Sequence, residues 1–397
     1  MMTRLPLAYC TNVHAGPDLD RAVANLDRHA IEVKRRYSPQ EPMGVGLWLA
    51  AEGARQCLEE SRIGWLRDWL GERGLLPFTF NGFPYGDFHQ RVVKHNVYLP
   101  TWWQRERLDY TLDLIAILDG VLHPGVTGSI STLPIAWGKT QASPDLLPQA
   151  GRNLVTVAEH LAELEKRTGR LIHVCIEPEP GCVLDTAADM VDFFERYLLS
   201  QGDEHVIRRH LRVCHDICHA AVMLEEQADV LQRYRAAGIR VGKVQVSAAV
   251  GLNLLMTPEA ELGAAMQQLR GFVEERYLHQ TMVRPRPGAN PIFFEDLPQA
   301  LAAPLGVEYR THFHVPIYLT RFGRLDALQK PIIECLNALK PGECEHFEAE
   351  TYAWGVLPPE LQVGELAEGI ARELTWLRAT IPTGLLEFGI RCEGAIG

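Results

Sequence analysis

Short apolar runs alternate with longer amphipathic segments along the whole 397-residue chain. Eight such runs, each followed by a segment of helical periodicity, give the βαβα order of a parallel sheet covered by helices. The pattern predicts an α/β protein built as a single (β/α)8 TIM barrel, with residues 1–397 as one domain. The predicted strands are 5–14, 45–50, 77–83, 127–133, 170–180, 211–216, 241–247 and 345–352.

The periodic pattern is interrupted twice, at about residues 86–104 and at about residues 277–310. We expect both segments to be insertions at the end of the barrel where the strands exit, and an extended stretch, THFHVPIYL, follows the second one. The first insertion is rich in aromatic residues, which is typical of a loop that covers a small-molecule pocket. The predicted helices are 18–36, a segment ending at 72, 106–122, 148–168, 186–199, 224–237, 258–275, 325–339 and 359–379.

The fifth apolar run, RLIHVCIEPEP, ends in two carboxylates that lie two residues apart. Because side chains alternate along a strand, Glu177 and Glu179 share a face with His173 and Cys175, while the apolar residues face the covering helices. Three later strands end in polar pairs of the same kind. A polar row at several strand ends is typical of the catalytic end of a barrel.

These strand-end residues combine carboxylates, imidazoles and an amide, which are the ligands that a divalent ion takes from several rigid elements. The predicted metal ligands are Glu177, Asp216, His219, Gln245, His312, His314 and Glu350. The ion could be Mn, Mg, Co or Zn. The alternative is that each residue is an ordinary hydrogen-bonding group, but several buried carboxylates together need a partner. The predicted substrate-binding residues are Asn12, His14, Asn81, His89, Trp102 and Glu348.

Composition narrows the function classes. The net charge of -11 and the pI near 5.8, with no run of basic residues, disfavour a nucleic-acid partner and count against a nuclease. No apolar run approaches the roughly 20 residues needed to cross a bilayer, and the first strand leaves no room for a signal peptide. We therefore expect a cytoplasmic protein without membrane insertion. The nine cysteines form no Cys-x-x-Cys pair and are expected to be reduced core residues.

Three common nucleotide-binding and hydrolase motifs have no support in the sequence. Gly138-Lys139-Thr140 is not a P-loop, because Leu133 stands where the first glycine of that motif would be. No Gly-x-Gly-x-x-Gly follows a strand, and a Gly-x-Ser-x-Gly elbow is absent.

The order of the strand-end residues resembles the xylose-isomerase-like barrels, a superfamily of sugar isomerases, epimerases and apurinic-site endonucleases. Glu177-Pro178-Glu179-Pro180 matches the Glu-Pro-Lys-Pro of the isomerases, where the first glutamate binds metal. Asp216 with His219, the pair His312 and His314, and Glu350 match further ligand positions, and Glu350-Thr351 favours Glu350 over Glu348. Two departures stand out: Glu179 replaces the isomerase lysine, and Gln245 stands where relatives have His or Asp.

Longer strings are similar to the metabolite traffic protein EboE family, a group of barrels within this superfamily. They are FPYGDFH, VYLPTWWQRERLDYT, GSISTLP, CHDICHAAV and ETYAWGVLP. This resemblance implies a link to the synthesis or export of a small metabolite, with a cyclase-like and a prenyltransferase-like partner encoded alongside. It implies no particular reaction.

The leading hypothesis from these observations is a metal-assisted isomerase or epimerase of a sugar, sugar phosphate or cyclitol. Glu177 or Glu350 would move a proton, and Lys243 is a further predicted catalytic residue. Glu179 beside Glu177 should raise the proton affinity of one member of this pair, which would then act as the acid while its neighbour acts as the base. Two alternatives stay open: a phosphodiesterase of the apurinic-site endonuclease type, and a barrel that binds a metabolite without chemistry. Whether the chain forms a homo-oligomer also stays open.

Overall fold

The computed structural model describes residues 7–14, 16–138, 145–362 and 364–386, so Lys139 and Thr140 lie outside it. The strands are β1 Leu7–Tyr9, β2 Met43–Leu47, β3 Leu75–Asn81, β4 Gly128–Thr132, β5 Ile172–Ile176, β6 Leu211–Asp216, β7 Val241–Val246, β8 Ala248–Asn253, β9 Thr281–Arg284, β10 Ile292–Phe294, β11 Glu308–Val315, β12 Arg321–Phe322, β13 Leu325–Ala327 and β14 Phe347–Ala349.

The helices alternate with these strands. They are α1 Leu19–Asn25, α2 Ile31–Tyr37, α3 Ala51–Cys57, α4 Arg62–Glu72, α5 Arg105–Val121, α6 Leu146–Thr168, α7 Ala187–Phe193, α8 Glu204–His210, α9 Ile217–Val222, α10 Gln227–Ala236, α11 Leu262–Arg270, α12 Leu297–Ala302, α13 Lys330–Ala338, α14 Leu366–Thr380 and α15 Thr383–Leu386. Two π-helical segments, Leu26–Ala30 and Phe194–Leu198, continue α1 and α7.

Eight parallel strands form the barrel, in the order β1-β14-β7-β6-β5-β4-β3-β2. A parallel bridge between Cys10 and Gly46 joins the region after β1 to β2, so the barrel is nearly closed. The prediction of an α/β protein with a (β/α)8 barrel is therefore confirmed. The prediction that the whole chain is a single domain stays a prediction.

Local sequence signals explain how several helices begin and end. Thr186 and Asp189 form a capping box at the start of α7, and the side chain of Asp216 accepts a hydrogen bond from the backbone N–H of His219 to start α9. Gly169 ends α6 with a φ of 72°, a left-handed conformation that glycine adopts at low cost. No helix of the described residues is long and apolar enough to cross a membrane.

The segment of the chain between β7 and β14 forms a second sheet of six strands. Their order is β10-β9-β11-β8-β13-β12, and all strand pairs are antiparallel. The predicted insertion at 277–310 is thus one part of a longer excursion. The predicted helix 325–339 begins only at Lys330, because Leu325–Ala327 pairs with β8 instead. The helix predicted at 258–275 is shorter, Leu262–Arg270, with a 3-10 turn before it.

Candidate metal and substrate site

A cavity of about 60 Å³ opens where the barrel strands end. Its polar side consists of carboxylates and imidazoles from the ends of β5, β6, β11 and β14. Its apolar side comes from the two insertions, with Phe88, Val93 and Tyr98 from the first and Tyr277 from the second. The backbone N–H groups of Val93 and Lys94 both donate to the carbonyl of Arg276, which ties the first insertion to the start of the second. An apolar wall facing a few convergent polar groups is typical of a small-molecule pocket.

The carboxylates of Glu177, Asp216 and Glu350 converge at the side of this cavity. Each is buried, and one oxygen from each lies within 4.8 Å of the other two. Asp216 Oδ1 accepts hydrogen bonds from the His219 N–H and the Ser247 hydroxyl, both at 2.8 Å. Asp216 Oδ2 and Glu177 Oε2 have no hydrogen-bond partner among the described residues. Two buried carboxylate oxygens are therefore held in place with no hydrogen-bond donor among the described residues.

Electrostatics make this arrangement costly without a cation. Burial, and then the charges of Glu350 and Asp216, raise the pKa of Glu177 well above its ordinary range. Burial and the charge of Asp216 likewise raise the pKa of Glu350 to about 8, although Asn12 donates to its Oε1 at 2.9 Å. A divalent cation would offset the repulsion and satisfy the free oxygens. The residues present therefore fit such an ion.

Three histidines next to these carboxylates have a defined protonation pattern. The Nδ1 atoms of His219, His312 and His314 lie 3.0, 2.8 and 2.6 Å from the Pro178 carbonyl, the Gln280 amide oxygen and the Glu350 carbonyl. Because these oxygens only accept, each Nδ1 carries the proton and each Nε2 keeps a lone pair. This is how histidines that bind metals are usually oriented.

The three Nε2 atoms face one another and the carboxylates rather than hydrogen-bond donors. His219 Nε2 and His312 Nε2 are 3.2 Å apart, and His314 Nε2 has no hydrogen-bond partner among the described residues. Ligand atoms of Asp216, His219 and His314 also lie within 4.8 Å of one another. Cys218 is similarly close to His312 and His314. Six of the predicted metal ligands, Glu177, Asp216, His219, His312, His314 and Glu350, are thus brought together, and Gln245 lies beside Asp216 in the strand register.

Glu179 lies on the other side of His312, in a network that the sequence did not predict. Its Oε1 accepts hydrogen bonds from the Tyr98 hydroxyl at 2.8 Å and the Gln280 amide at 3.0 Å. Burial raises the pKa of Glu179 to about 8, although these two donors act to lower it. Both donors come from the insertions, and no local pattern in the sequence marks a loop residue for this position. Burial therefore favours the protonated form of the Glu179 carboxyl.

Lys243 and Glu348 form an ion pair deeper in the barrel and do not line the cavity. Lys243 Nζ is 2.6 Å from Glu348 Oε2, and both side chains are fully buried. A Cβ added at Gly46 would lie 1.3 Å from Glu348 Oε1, so glycine is required for the carboxylate to fit. Burial acts to lower the pKa of Lys243, but the Glu348 charge outweighs it and raises that pKa. Gln245 is also fully buried, and its side-chain atoms have no hydrogen-bond partner among the described residues.

Of the six predicted substrate-binding residues, Asn12 and Asn81 line the cavity and both donate to Glu350 Oε1. The other four do not line it. His89 Nε2 contacts the carbonyl of Asn12 at 2.5 Å, which places it behind the wall. His14 contacts the Tyr9 hydroxyl and stacks on the ring of His29. The indole N–H of Trp102 donates to the Thr132 hydroxyl within the core. Glu348 forms the ion pair with Lys243.

Comparison with known proteins supports the fold and little beyond it. No family model and no curated protein matches the chain. A xylose isomerase-like TIM barrel protein from Mycobacterium smegmatis in complex with magnesium is similar, with a TM-score of 0.52, 11% identity, and coverage of 96% of this chain and 98% of that one.

Two further solved structures have a TM-score of 0.47. The probable 3-DHS dehydratase AsbF from Bacillus anthracis is 12% identical over 94% of this chain and 98% of its own. A xylose isomerase domain protein from Alicyclobacillus acidocaldarius is 14% identical over 95% of this chain and 97% of its own. The similarity to the Mycobacterium smegmatis protein, with its TM-score of 0.52, shows the same barrel fold.

Proposed function

We propose that this protein is a metal-assisted isomerase or epimerase of a sugar, sugar phosphate or cyclitol. The observation that carries the proposal is the convergence of Glu177, Asp216 and Glu350, which place one oxygen each within 4.8 Å of the other two. In addition, Glu177 Oε2 and Asp216 Oδ2 have no hydrogen-bond partner in the described part of the chain. The similar barrel from Mycobacterium smegmatis was solved with magnesium. A bound divalent ion would polarise carbonyl and hydroxyl oxygens of such a substrate.

The ligand set favours a particular division of roles. Glu177, Asp216 and Glu350 would hold the ion, with His219 and His314 as the nearest imidazole donors. Carboxylate oxygens suit magnesium and manganese, while imidazoles suit zinc and cobalt, so the identity of the ion depends on how many histidines take part. Lys243 has no role in this proposal beyond neutralising Glu348, since it does not line the cavity.

Proton transfer is assigned to the carboxyl groups of the cavity. Glu179, which Tyr98 and Gln280 hold in place, would donate a proton to a substrate oxygen. Glu177 or Glu350 would remove the proton from the carbon next to the carbonyl. Pairs of carboxyl groups whose environments differ are suited to such an acid and base division. A glutamate in place of the isomerase lysine favours an enediol-like route over a hydride shift.

A more specific proposal, on the pathway in which the protein acts, rests on the sequence resemblance to the EboE family. On that basis we infer that the substrate belongs to the synthesis or export of a small metabolite and that the reaction takes place in the cytoplasm. The aromatic and amide residues that line the cavity, such as Phe88, Tyr352 and Asn81, suit a polyhydroxylated ring with apolar faces.

The first experiment measures metal binding. The purified protein is stripped with a chelator, and its affinity for Mg, Mn, Co and Zn is measured by calorimetry and by metal analysis after dialysis. Glu177→Gln, Asp216→Asn and Glu350→Gln should each weaken binding by at least about tenfold. Glu163→Gln, an exposed glutamate with 70% of its side chain accessible, is the matched control and should bind as the parent does. A folded protein that binds none of these ions would refute the proposal.

The second experiment tests the reaction. The metal-loaded protein is incubated with ketoses, aldoses, their phosphates and inositols in heavy water. Deuterium should enter the product at the carbon next to the carbonyl, because the carboxylic base exchanges with solvent. Turnover without solvent label would argue for hydride transfer. Hydrolysis of a phosphodiester at a comparable rate would favour the endonuclease-type alternative.

A further inference from the structure

An open cavity of about 570 Å³ lies at the opposite end of the barrel from the candidate site. It is lined by residues at the beginnings of strands: Thr127 before β4, His173 in β5, Arg212 in β6, Gly242 in β7 and His346 before β14. The candidate metal ligands lie at the ends of strands, so the two cavities do not share residues. Nothing in the proposed reaction uses this second cavity.

Two arginines in this cavity have no carboxylate partner. Arg212 Nε donates to the carbonyl of Arg209 at 3.1 Å, and its two terminal amino groups have no hydrogen bond or ion pair among the described residues. Arg240 has neither a hydrogen bond from its side chain nor an ion pair within the described ranges. The third arginine, Arg235, is paired with Glu343. Glu345 also lines this cavity and its charge acts on Arg212, but it forms no ion pair with either guanidinium group within the described ranges, so the two arginines keep a net positive charge at this site.

His173 supplies a buried acceptor on the same wall. It is 2% exposed, and its Nε2 lies 3.0 Å from the carbonyl of Gly242, so Nε2 carries the proton. Its Nδ1 therefore keeps a lone pair, and no donor among the described residues reaches it. The ring is held tightly, because a Cβ at Gly242 would lie 2.6 Å from His173 Cδ2. A buried acceptor without a donor is costly unless a ligand satisfies it.

We propose that this cavity binds a hydrogen phosphate group, with Arg212 and Arg240 as the cationic donors and His173 as the acceptor for the phosphate hydroxyl. Arginine pairs well with phosphate oxygens through parallel N–H bonds. A hydrogen phosphate also carries an O–H that can donate to His173 Nδ1, whereas sulfate at neutral pH carries none. The arrangement therefore predicts that phosphate binds and sulfate binds more weakly.

The ligand could be inorganic phosphate or the phosphate group of a small metabolite, and the open cavity has room for either. The test measures binding of inorganic phosphate, glycerol 3-phosphate and sulfate to the chelator-treated full-length chain by calorimetry at pH 6, where about half of a phosphate monoester still carries an O–H. Removal of metal keeps the anions from binding an ion at the candidate site. Tighter binding of glycerol 3-phosphate than of inorganic phosphate would identify a phosphate monoester as the ligand; the reverse would identify the free ion.

Arg240→Gln changes an exposed side chain and should weaken phosphate binding by about tenfold or more while the fold is kept. Arg270→Gln, an exposed arginine that also has no ion pair among the described residues, is the matched control and should not change it. His173→Phe should bring phosphate and sulfate to similar affinities. Equal affinities of the parent for the two anions, or unchanged binding in Arg240→Gln, would overturn the inference. Glu177→Gln should bind phosphate normally, so the outcome is independent of the proposed reaction.

Discussion

Replacing Lys243 by methionine should strongly destabilise the barrel. Methionine has a similar length, so the change removes the ammonium group and leaves the packing of the aliphatic stem largely intact. Glu348, which is fully buried and lies 2.6 Å from Lys243 Nζ, then loses its counter-ion. Breaking a buried ion pair on one side costs about 3–5 kcal/mol, because the remaining charge stays buried without a partner.

The expected change in melting temperature follows from the size of the chain. An unfolding entropy of about 2.1 cal/mol/K per residue gives roughly 0.8 kcal/mol/K for 397 residues. A loss of about 3–5 kcal/mol then lowers the melting temperature by about 4–6 °C. Adding Glu348→Gln to Lys243→Met should recover part of this loss, since a buried neutral amide without a partner costs only about 1–3 kcal/mol.

Differential scanning calorimetry at pH 7 measures these changes. The matched control is Lys166→Met, because Lys166 Nζ is also 2.6 Å from a glutamate oxygen but both side chains are about 70% exposed. That surface pair is worth at most about 1 kcal/mol, so its loss should shift the melting temperature by about 1 °C. Equal shifts for the two lysine variants would refute the reasoning. A stable, metal-binding Lys243→Met protein that lost only turnover would restore Lys243 to the predicted catalytic set.

Two further predictions concern stability. Burial raises the pKa of Glu373 from 4.5 to about 7, so the folded state binds this proton more tightly than the unfolded chain. The free energy of unfolding should therefore fall by about 3 kcal/mol as pH rises from about 4.5 to 7. Glu373→Gln should lack that component in urea titrations across this range, and an unchanged pH dependence would contradict it. Gly46→Ala should destabilise by at least about 1–3 kcal/mol because its Cβ would meet Glu348. Gly64→Ala, where the new Cβ meets nothing within 4 Å, should stabilise by about 0.5 kcal/mol, and a shared sign in calorimetry would count against this account.

Side-chain alternation explains why the carboxylate set could be predicted from the sequence. Glu177, Asp216 and Glu350 come at or directly after the ends of short apolar strands, and parallel strands of a barrel bring such ends together. The barrel itself follows from the same alternation of strands and helices. These features depend on local periodicity, which the sequence carries directly.

The parts that could not be predicted depend on contacts between distant segments. Tyr98 and Gln280 reach Glu179 only because two insertions pack over the cavity, and no local rule fixes how a loop docks. The predicted helix 325–339 was shortened because pairing with β8 takes its first residues into a strand. The sequence places His14 in the first predicted strand and His89 and Trp102 in the first insertion, and it predicts all three as pocket residues. Their neighbours instead hold them behind the cavity wall or in the core.

The position of the antiparallel sheet in the chain has a consequence for biosynthesis. Residues 247–346 separate β7 from β14, the strand that fills the gap between β7 and β1. At about 5–20 residues per second, the ribosome needs about 5–20 s to make this segment of about 100 residues. Throughout that time the nascent barrel has two unpaired strand edges, which can pair with other chains. Early docking of the antiparallel sheet beside β7 would shield one edge, so we expect deletions within residues 248–327 to cause aggregation during synthesis.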